Sequence, residues 1–369
     1  MTINSSLEQR PHIVHAINSL GMGGAETICW EVINHFGDWA DNSLLVLNSD
    51  YQPRKDYFEK LGIPITFINH SPGKYINLIY KSYRYFCQHP ADGLICWSFG
   101  NHAFISLGAK LAGVTHIIAS VQNAPPRELK QQTKWSSLAR LGFACGVNLV
   151  ACSNYVRERL VQDLKLPPRR IIAIPNGCNV DAIHQKAQEA RANKPDKPVI
   201  GMVARLNEIK DQKTLIQAMA LVLTKYPNAE LWLIGDGEQR ENLTKITDDL
   251  KLNDSVKFLG NRCDIPELLG QMDVFAFSTT EAEGFGIALV EALAAGIPVV
   301  ASDVGPCAEV LQQGKWGQLV KPHNPDDLGT NILEVLSNPS CVPYISEVYS
   351  NYDTQNIAKD YKKCLYADQ

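Results

Sequence analysis

Two glutamates and two basic residues stand where they could hold a phosphorylated ligand. The stretch from Phe275 to Glu309 reads FAFSTTEAEGFGIALVEALAAGIPVVASDVGPCAE. An apolar run ends at Ser278, a short loop follows, and a helix pattern opens near Gly286, after Glu283-Gly284-Phe285. The start of such a helix presents free backbone N–H groups and the positive end of its dipole, which suits a diphosphate. Gly284 and Gly286 let a ligand come close to the backbone. Glu283 and Glu291 are eight residues apart, one ahead of the helix and one more than a turn inside it. A retaining hydrolase needs its two carboxyls about 5 Å apart. The spacing here suits two grips on one long ligand instead. An ordinary helix start accounts for the same residues without a ligand, since a first-turn Glu and the run from Glu291 to Gly296 both favour helix.

The second group lies in residues 203–219, VARLNEIKDQKTLIQAM. Arg205 and Lys210 follow a strand ending near Ala204 and precede a helix. Arg can fork to phosphate oxygens and Lys can act as a point charge. Loop cations are more often simply solvated, and Lys213 belongs to that kind.

The elements that must position these residues alternate along the chain. His12–Asn18 reads as a strand running into Gly21-Met22-Gly23-Gly24 and then a helix from about Ala25 to His35. Further strands are expected at 43–47, 65–68, 93–96, 116–120, 147–152 and 171–174. After a polar, proline-bearing tract at 187–198, the alternation restarts, with strands at 199–204, 230–234, 256–259, 274–278 and 298–301. The fold class is therefore α/β, with two Rossmann-like domains facing across a cleft. Their expected limits are residues 1–190 and 198–349, with a last helix at 350–369 packing back on the first.

Bulk properties fit this plan. A chain of 369 residues, 45% apolar and 20% charged, is natural for two globular domains. The longest mostly apolar stretch, Ile287 to Ala301, contains Glu291 and Pro298 and is too short to span a bilayer. The first residues lack the apolar core of a signal peptide, so a cytoplasmic location is expected. Ten scattered cysteines without a C-x-x-C pair read as reduced thiols. The net charge of −4 divides into +5 over residues 1–178 and −9 over 179–369, which points to an anionic partner on the first half or to simple variation between domains.

Taken together, Arg205 with Lys210, Gly235-Asp236-Gly237, Glu283 with Glu291, Gly296-Ile297-Pro298 and Glu309 resemble the retaining glycosyltransferases of family 4. The resemblance extends to Gly23-Gly24-Ala25-Glu26, Ser153 and Pro175-Asn176-Gly177, and so covers nearly the whole chain. It implies the GT-B fold. It also implies that Arg205 and Lys210 neutralise the diphosphate of a nucleotide-sugar donor and stabilise the departing nucleotide. Glu291 would bind the ribose, and Glu283 the donor sugar, helped by the backbone from Gly284 through Phe285 and Gly286 to Ile287. Arg262 would lie near the base, and Gly23 and Gly24 would close on the phosphates. Neither an essential metal nor another cofactor is expected, and no protein nucleophile stands out. Many family members place a His or Asp beside the reacting carbon; Gln122 and Asn123 stand there in this chain. His102, after the loop Trp97–Gly100, is a candidate to face the acceptor or the reaction centre, or else a capping or core histidine.

The resemblance implies transfer of a hexose or N-acetylhexosamine, with UDP as the expected nucleotide, to a glycan or lipid-linked acceptor in cell-surface polysaccharide or lipopolysaccharide assembly. A nucleotide-sugar epimerase of the same fold and a non-catalytic binding subunit are the alternatives. Residues 74–86 and 127–140 mix Lys74, Lys81, Arg84, Arg127, Lys130, Lys134 and Arg140 with aromatics. That mixture suits a peripheral contact with an anionic inner-membrane surface or a lipid diphosphate, or equally an aromatic core face with solvated charges behind it. No nucleic-acid-binding motif is present, so nucleic acid is not an expected partner.

Overall fold

Short apolar runs in this chain become central strands, buried on both faces as parallel sheets require. Gly93–Cys96, Val274–Phe277 and Val299–Ser302 are buried at every position. The computed structural model describes residues 10–50, 52–338 and 342–366. These divide into two compact units.

The first part of the chain runs β1 (His12–Ile17), α1 (Gly24–Phe36), β2 (Asp41–Val46), α2 (Lys55–Glu59), β3 (Ile65–Phe67), α3 (Tyr75–Gln88), β4 (Gly93–Cys96), α4 (His102–Leu111), β5 (His116–Val121), α5 (Leu129–Ala144), β6 (Asn148–Ala151), α6 (Asn154–Gln162) and β7 (Ile171–Ala173). Its strands form one parallel sheet in the order β3-β2-β1-β4-β5-β6-β7. The order reverses between β1 and β4, which pair with Ile13 opposite Gly93. The core of this unit includes Ile13, Ile17, Phe36, Leu44 and Ile95.

The second part runs α7 (Val180–Ala190), β8 (Val199–Val203), α8 (Gln212–Lys225), β9 (Glu230–Ile234), α9 (Arg240–Asp249), β10 (Val256–Gly260), α10 (Ile265–Gly270), β11 (Val274–Phe277), α11 (Ile287–Ala294), β12 (Val299–Ser302), α12 (Gly305–Val310), β13 (Gln318–Val320), α13 (Pro325–Ser337), α14 (Ile345–Tyr352) and α15 (Thr354–Leu365). Here the parallel order is β10-β9-β8-β11-β12-β13, reversing between β8 and β11. The three-residue strand β13 was not among the sequence expectations.

The limits of the units differ from those expected. The first unit ends at Ile174 rather than at 190, because α7 packs on α10 of the second unit. The contact is close: a Cβ on Gly270 would strike the Ala187 carbonyl. Ser153–Val156 also cluster with the second unit. At the far end, α14 stays with the second unit, where the Asp353 carboxylate accepts the Val180 N–H at 3.2 Å. From Ile357 onward the chain belongs to the first unit, so the return begins seven residues later than 350. There Ile357, Ala358, Tyr361, Cys364 and Leu365 line one stripe of α15 in the core. The Tyr361 hydroxyl is 3.2 Å from Ser120 Oγ.

Candidate active site

In a doubly wound sheet, ligands bind past the carboxyl ends of the strands where the order reverses. In the second unit that place lies beyond β8 and β11. The loop after β8 carries Arg205 and Lys210, and the loop after β11 carries Glu283.

The β8 loop is built by short-range bonds. Asn207 Oδ1 accepts the Lys210 N–H at 3.2 Å, closing a tight turn at Glu208–Lys210. Buried Gln212 donates from Nε2 to the Arg205 carbonyl at 2.9 Å. Gly235 and Gly237 are pressed against the same loop, and a Cβ on either would strike the carbonyl of Ala204 or Leu206. The Gly235-Asp236-Gly237 motif therefore shapes the loop through close backbone packing.

Three hydroxyl residues stitch the β8 and β11 loops together. Thr279 Oγ1 donates to the Ile209 carbonyl at 2.9 Å, as does the Thr280 N–H. Ser278 Oγ donates to the Lys210 carbonyl at 3.3 Å. Sequence reasoning passed over this Ser-Thr-Thr run. Its signal was its place at the end of an apolar strand, where hydroxyls have no core to join.

The stitched loops bring Lys210 and Glu283 into a direct ion pair. Lys210 Nζ also lies 4.9 Å from the Phe277 ring centroid. The Glu283 side chain is 10% exposed. Its carboxylate accepts the Gly284 N–H at 3.1 Å, and the Thr279 hydroxyl, which donates to Ile209, lies 3.4 Å from it. Burial raises its pKa, but the Lys210 charge and the backbone N–H groups outweigh burial and hold the carboxyl below its ordinary range. Glu283 is thus ionised, fixed and aimed by its partners.

The other donor-side candidates fall as follows. Arg205 is 71% exposed, 3.2 Å from Glu238. Arg262 follows β10, where its Nε donates to Asp264 at 2.7 Å. Gly286 caps α11 at φ +85°, a left-handed conformation that favours glycine. Ile287 opens α11, and Glu291 lies half-buried further along it. Phe285 is buried against Tyr352, leaving only its backbone for a ligand.

In the first unit, Gly23 and Gly24 open α1 beyond β1, and the carboxyl of Glu26 folds back over Gly23. Burial raises the Glu26 pKa, against the pull of backbone N–H groups and Arg54. Gln122 donates to Ser120 Oγ at 2.6 Å, and Asn123 beside it is exposed. Of the two readings given for His102, the structure favours the core one: the residue is fully buried. Its ring stacks on Phe99 at 4.6 Å, abuts Gly142, and bonds through Nδ1 to the Phe99 carbonyl. Burial pushes its pKa down to about 4, so it is neutral near pH 7.

The basic and aromatic segments divide. Tyr75 stacks on Phe104 at 4.3 Å, Trp135 lies 4.6 Å from Phe99, and Tyr85 and Phe86 are buried. Ile76, Tyr80 and Tyr83 of α3 and Leu129 of α5 are exposed beside Lys74, Arg84 and Lys130. Among the described residues no helix is long and apolar enough to cross a membrane.

Units of this order hold nucleotide ligands at the reversal, and comparison with known proteins narrows the class. Residues 22–182 match the family described as Glycosyltransferase Family 4, and residues 183–355 match Glycosyl transferases group 1. The chain belongs to these glycosyltransferases and is an enzyme of the GT-B fold. It is 30% identical over 227 residues to an uncharacterised glycosyltransferase, MJ1607, of Methanocaldococcus jannaschii, spanning 58% of either chain. Over 266 residues, 69% of either chain, it is 27% identical to the GDP-mannose-dependent alpha-(1-6)-phosphatidylinositol monomannoside mannosyltransferase of Mycobacterium tuberculosis. The fold of Anabaena Alr3699/HepE in complex with UDP-glucose matches at a TM-score of 0.84 and 23% identity, covering 97% of this chain and 100% of that one.

Proposed function

We propose that this enzyme transfers a hexose or N-acetylhexosamine, with retention, from a UDP-sugar to a lipid-linked or glycan acceptor. The observation that carries the reading is the buried Lys210–Glu283 pair at the strand-order reversal of the second unit. A diphosphate at this edge meets the Lys210 ammonium and the exposed Arg205 guanidinium. These offset the charge that grows as the nucleotide leaves, the largest catalytic contribution in such a reaction. No metal is assigned to that task. Glu283, held as an anion, accepts hydrogen bonds from sugar hydroxyls, and Glu291 on α11 takes the ribose. Retention is supported by Glu283 being engaged by Lys210 and backbone N–H groups, which leaves it a poor base for activating an acceptor. Gln122 and Asn123, past the end of β5, are the first-unit side chains assigned to the reacting carbon.

The phosphatidylinositol monomannoside in the name of the M. tuberculosis relative supports a lipid-borne acceptor, and the UDP-glucose in the Anabaena structure supports a UDP donor. The exposed apolar and basic residues of α3 and α5 support work at an anionic inner-membrane surface, from the cytoplasmic side. The test is to titrate the protein with UDP- and GDP-sugars while following thermal stability. The cognate donor, at about 100 times its Kd, adds roughly 2.7 kcal/mol, and supplying a lipid-linked acceptor then gives product of unchanged anomeric configuration. Inversion of that configuration, or an epimerised donor formed without acceptor, would overturn the reading.

A further inference from the structure

Glu283 is only as useful as the loop that aims it. On one side the loop is held by the β8 segment, through the Thr280 N–H on the Ile209 carbonyl at 2.9 Å, and it is closed on itself by the Glu283 N–H on the Thr280 carbonyl at 3.1 Å. The carbonyls that flank Glu283 have a different partner. Ser153 Oγ donates to the Gly284 carbonyl at 2.9 Å, and the Tyr155 hydroxyl donates to the Glu281 carbonyl at 3.2 Å. Both donors lie in Ser153–Val156, the short tract that clusters with the second unit.

The tract is itself fixed. The Glu309 carboxylate on α12 accepts the N–H groups of Asn154 and Tyr155, each at 2.8 Å, and Asn154 Nδ2 at 3.1 Å. Ser153 Oγ accepts the Val156 N–H at 3.0 Å. The first three N–H groups of α6 are therefore all capped, two of them by an anion at the positive end of the helix. Because the Ser153 hydroxyl already accepts from Val156, its proton is committed to Gly284. Ser153 is fully buried, and Gly305 lies flush on the Tyr155 ring, with no room for a Cβ. This arrangement does not resemble an incidental surface contact.

We propose that Ser153 and Tyr155, braced by Glu309, are positioning residues that set the placement of Glu283 against the donor sugar and so govern affinity for the sugar rather than the nucleotide. The inference rests on the reading of Glu283 as the sugar-binding group. It predicts that loosening either carbonyl displaces Glu283 while leaving the diphosphate-binding cations in place.

The experiment compares Kd for UDP-glucose and for UDP by calorimetry, with GDP-mannose and GDP as a parallel pair, in the full chain and in S153A, Y155F, S153T and E283Q. In S153A and Y155F the Kd for the sugar nucleotide should rise roughly fivefold to tenfold, the scale of one lost hydrogen bond. The Kd for the free nucleotide should change by less than about twofold, and S153T, which keeps the hydroxyl, should restore tight binding. Unchanged sugar-nucleotide affinity in S153A and Y155F, or both ligands weakening in step, would overturn the proposal. E283Q separates the two levels. If it weakens UDP-glucose selectively while S153A and Y155F do not, only the positioning role fails. If it has no selective effect, or the unsubstituted enzyme binds neither pair, the reading of the site itself fails.

Discussion

At the scale of single residues, the two cations of the candidate site differ in what surrounds them. Lys210 is 19% exposed and paired with a carboxylate that is 10% exposed, whereas Arg205 is 71% exposed beside a half-exposed Glu238. Removing one partner of a buried pair leaves an uncompensated charge and costs about 3–5 kcal/mol, while replacing both by apolar groups is often near neutral. K210M should therefore lower the melting temperature markedly, and K210M/E283L should recover most of that loss. Neither variant should turn over donor. Thermal melts and a transfer assay on the pair of variants decide the matter, because restored folding without restored activity assigns the ion pair to chemistry. An active double variant would remove Lys210 and Glu283 from the site. R205A is expected to behave differently. An exposed pair contributes at most about 1 kcal/mol and commonly less, so its melt should stay close to wild type while donor affinity falls about tenfold from the lost phosphate contact.

Between residue and molecule lie the elements, and here the sequence was informative to a definite depth. Each central strand announces itself as a short apolar run because both its faces are buried. The loops after β8 and β11 could be singled out because Lys210 and Glu283 follow two such runs directly. Strand β13, three residues long, is too short to give a period. The assignment of α7 failed for a different reason. Its sequence, VDAIHQKAQEA, shows an apolar stripe at Val180, Ile183, Ala187 and Ala190, but nothing local says which sheet will cover that stripe. The polar tract that follows looked like a linker, while the actual change of unit falls at Pro175, whose neighbours carry no such composition. For His102 a cleft-facing and a core reading were both open, because its aromatic packing leaves no mark in the sequence. The contacts of Ser153, Tyr155 and Glu309 join parts of the chain roughly 130 to 155 residues apart and leave no local trace. Gly286 is the opposite case, a residue whose role is local and strict. With φ at +85° and a Cβ position 3.1 Å from Leu289 and 3.4 Å from Phe277, alanine there is strained and crowded. Strain of this kind costs on the order of 1–3 kcal/mol. G286A should lower stability by about that much and weaken donor binding further, since the first turn of α11 must shift. Calorimetry alongside thermal melts separates the two effects, and intact donor affinity in a destabilised G286A protein would mean that the α11 start does not meet the ligand.

For the molecule as a whole, the clearest prediction concerns acid. Two histidines lie in the core of the first unit, both fully buried and both neutral. His15 on β1 accepts the Trp97 indole N–H at 3.3 Å through Nδ1 and stacks on that ring, so the proton of its neutral form sits on Nε2, which donates to Asn42 Oδ1 at 3.2 Å. A second proton would have to enter at Nδ1, opposing the indole donor. Burial lowers the His15 pKa to about 3 and the His102 pKa to about 4, against a common reference of 6.5. The sign follows from linkage. Each group binds its proton more readily when unfolded, so its contribution is complete above pH 6.5 and is lost as pH falls toward the folded value. Below about pH 5.5 the two together should tilt stability by as much as ~2.7 kcal/mol per pH unit, continuing to about pH 4. Glu26, whose carboxyl is raised mainly by burial, acts in the opposite direction. Urea denaturation between pH 7 and 5, followed through tryptophan fluorescence, covers the histidine range above that of ordinary carboxylates. H102M removes one of these groups, and whatever its absolute stability, the slope against pH should fall by up to ~1.4 kcal/mol per pH unit, while His15 and His70, whose pKa values are also lowered, still contribute. The slope is the informative quantity, because a cavity or a packing change shifts the whole curve without tilting it. A slope that H102M leaves untouched would mean that His102 takes up its proton within the folded chain, and its place in the core would then need another explanation.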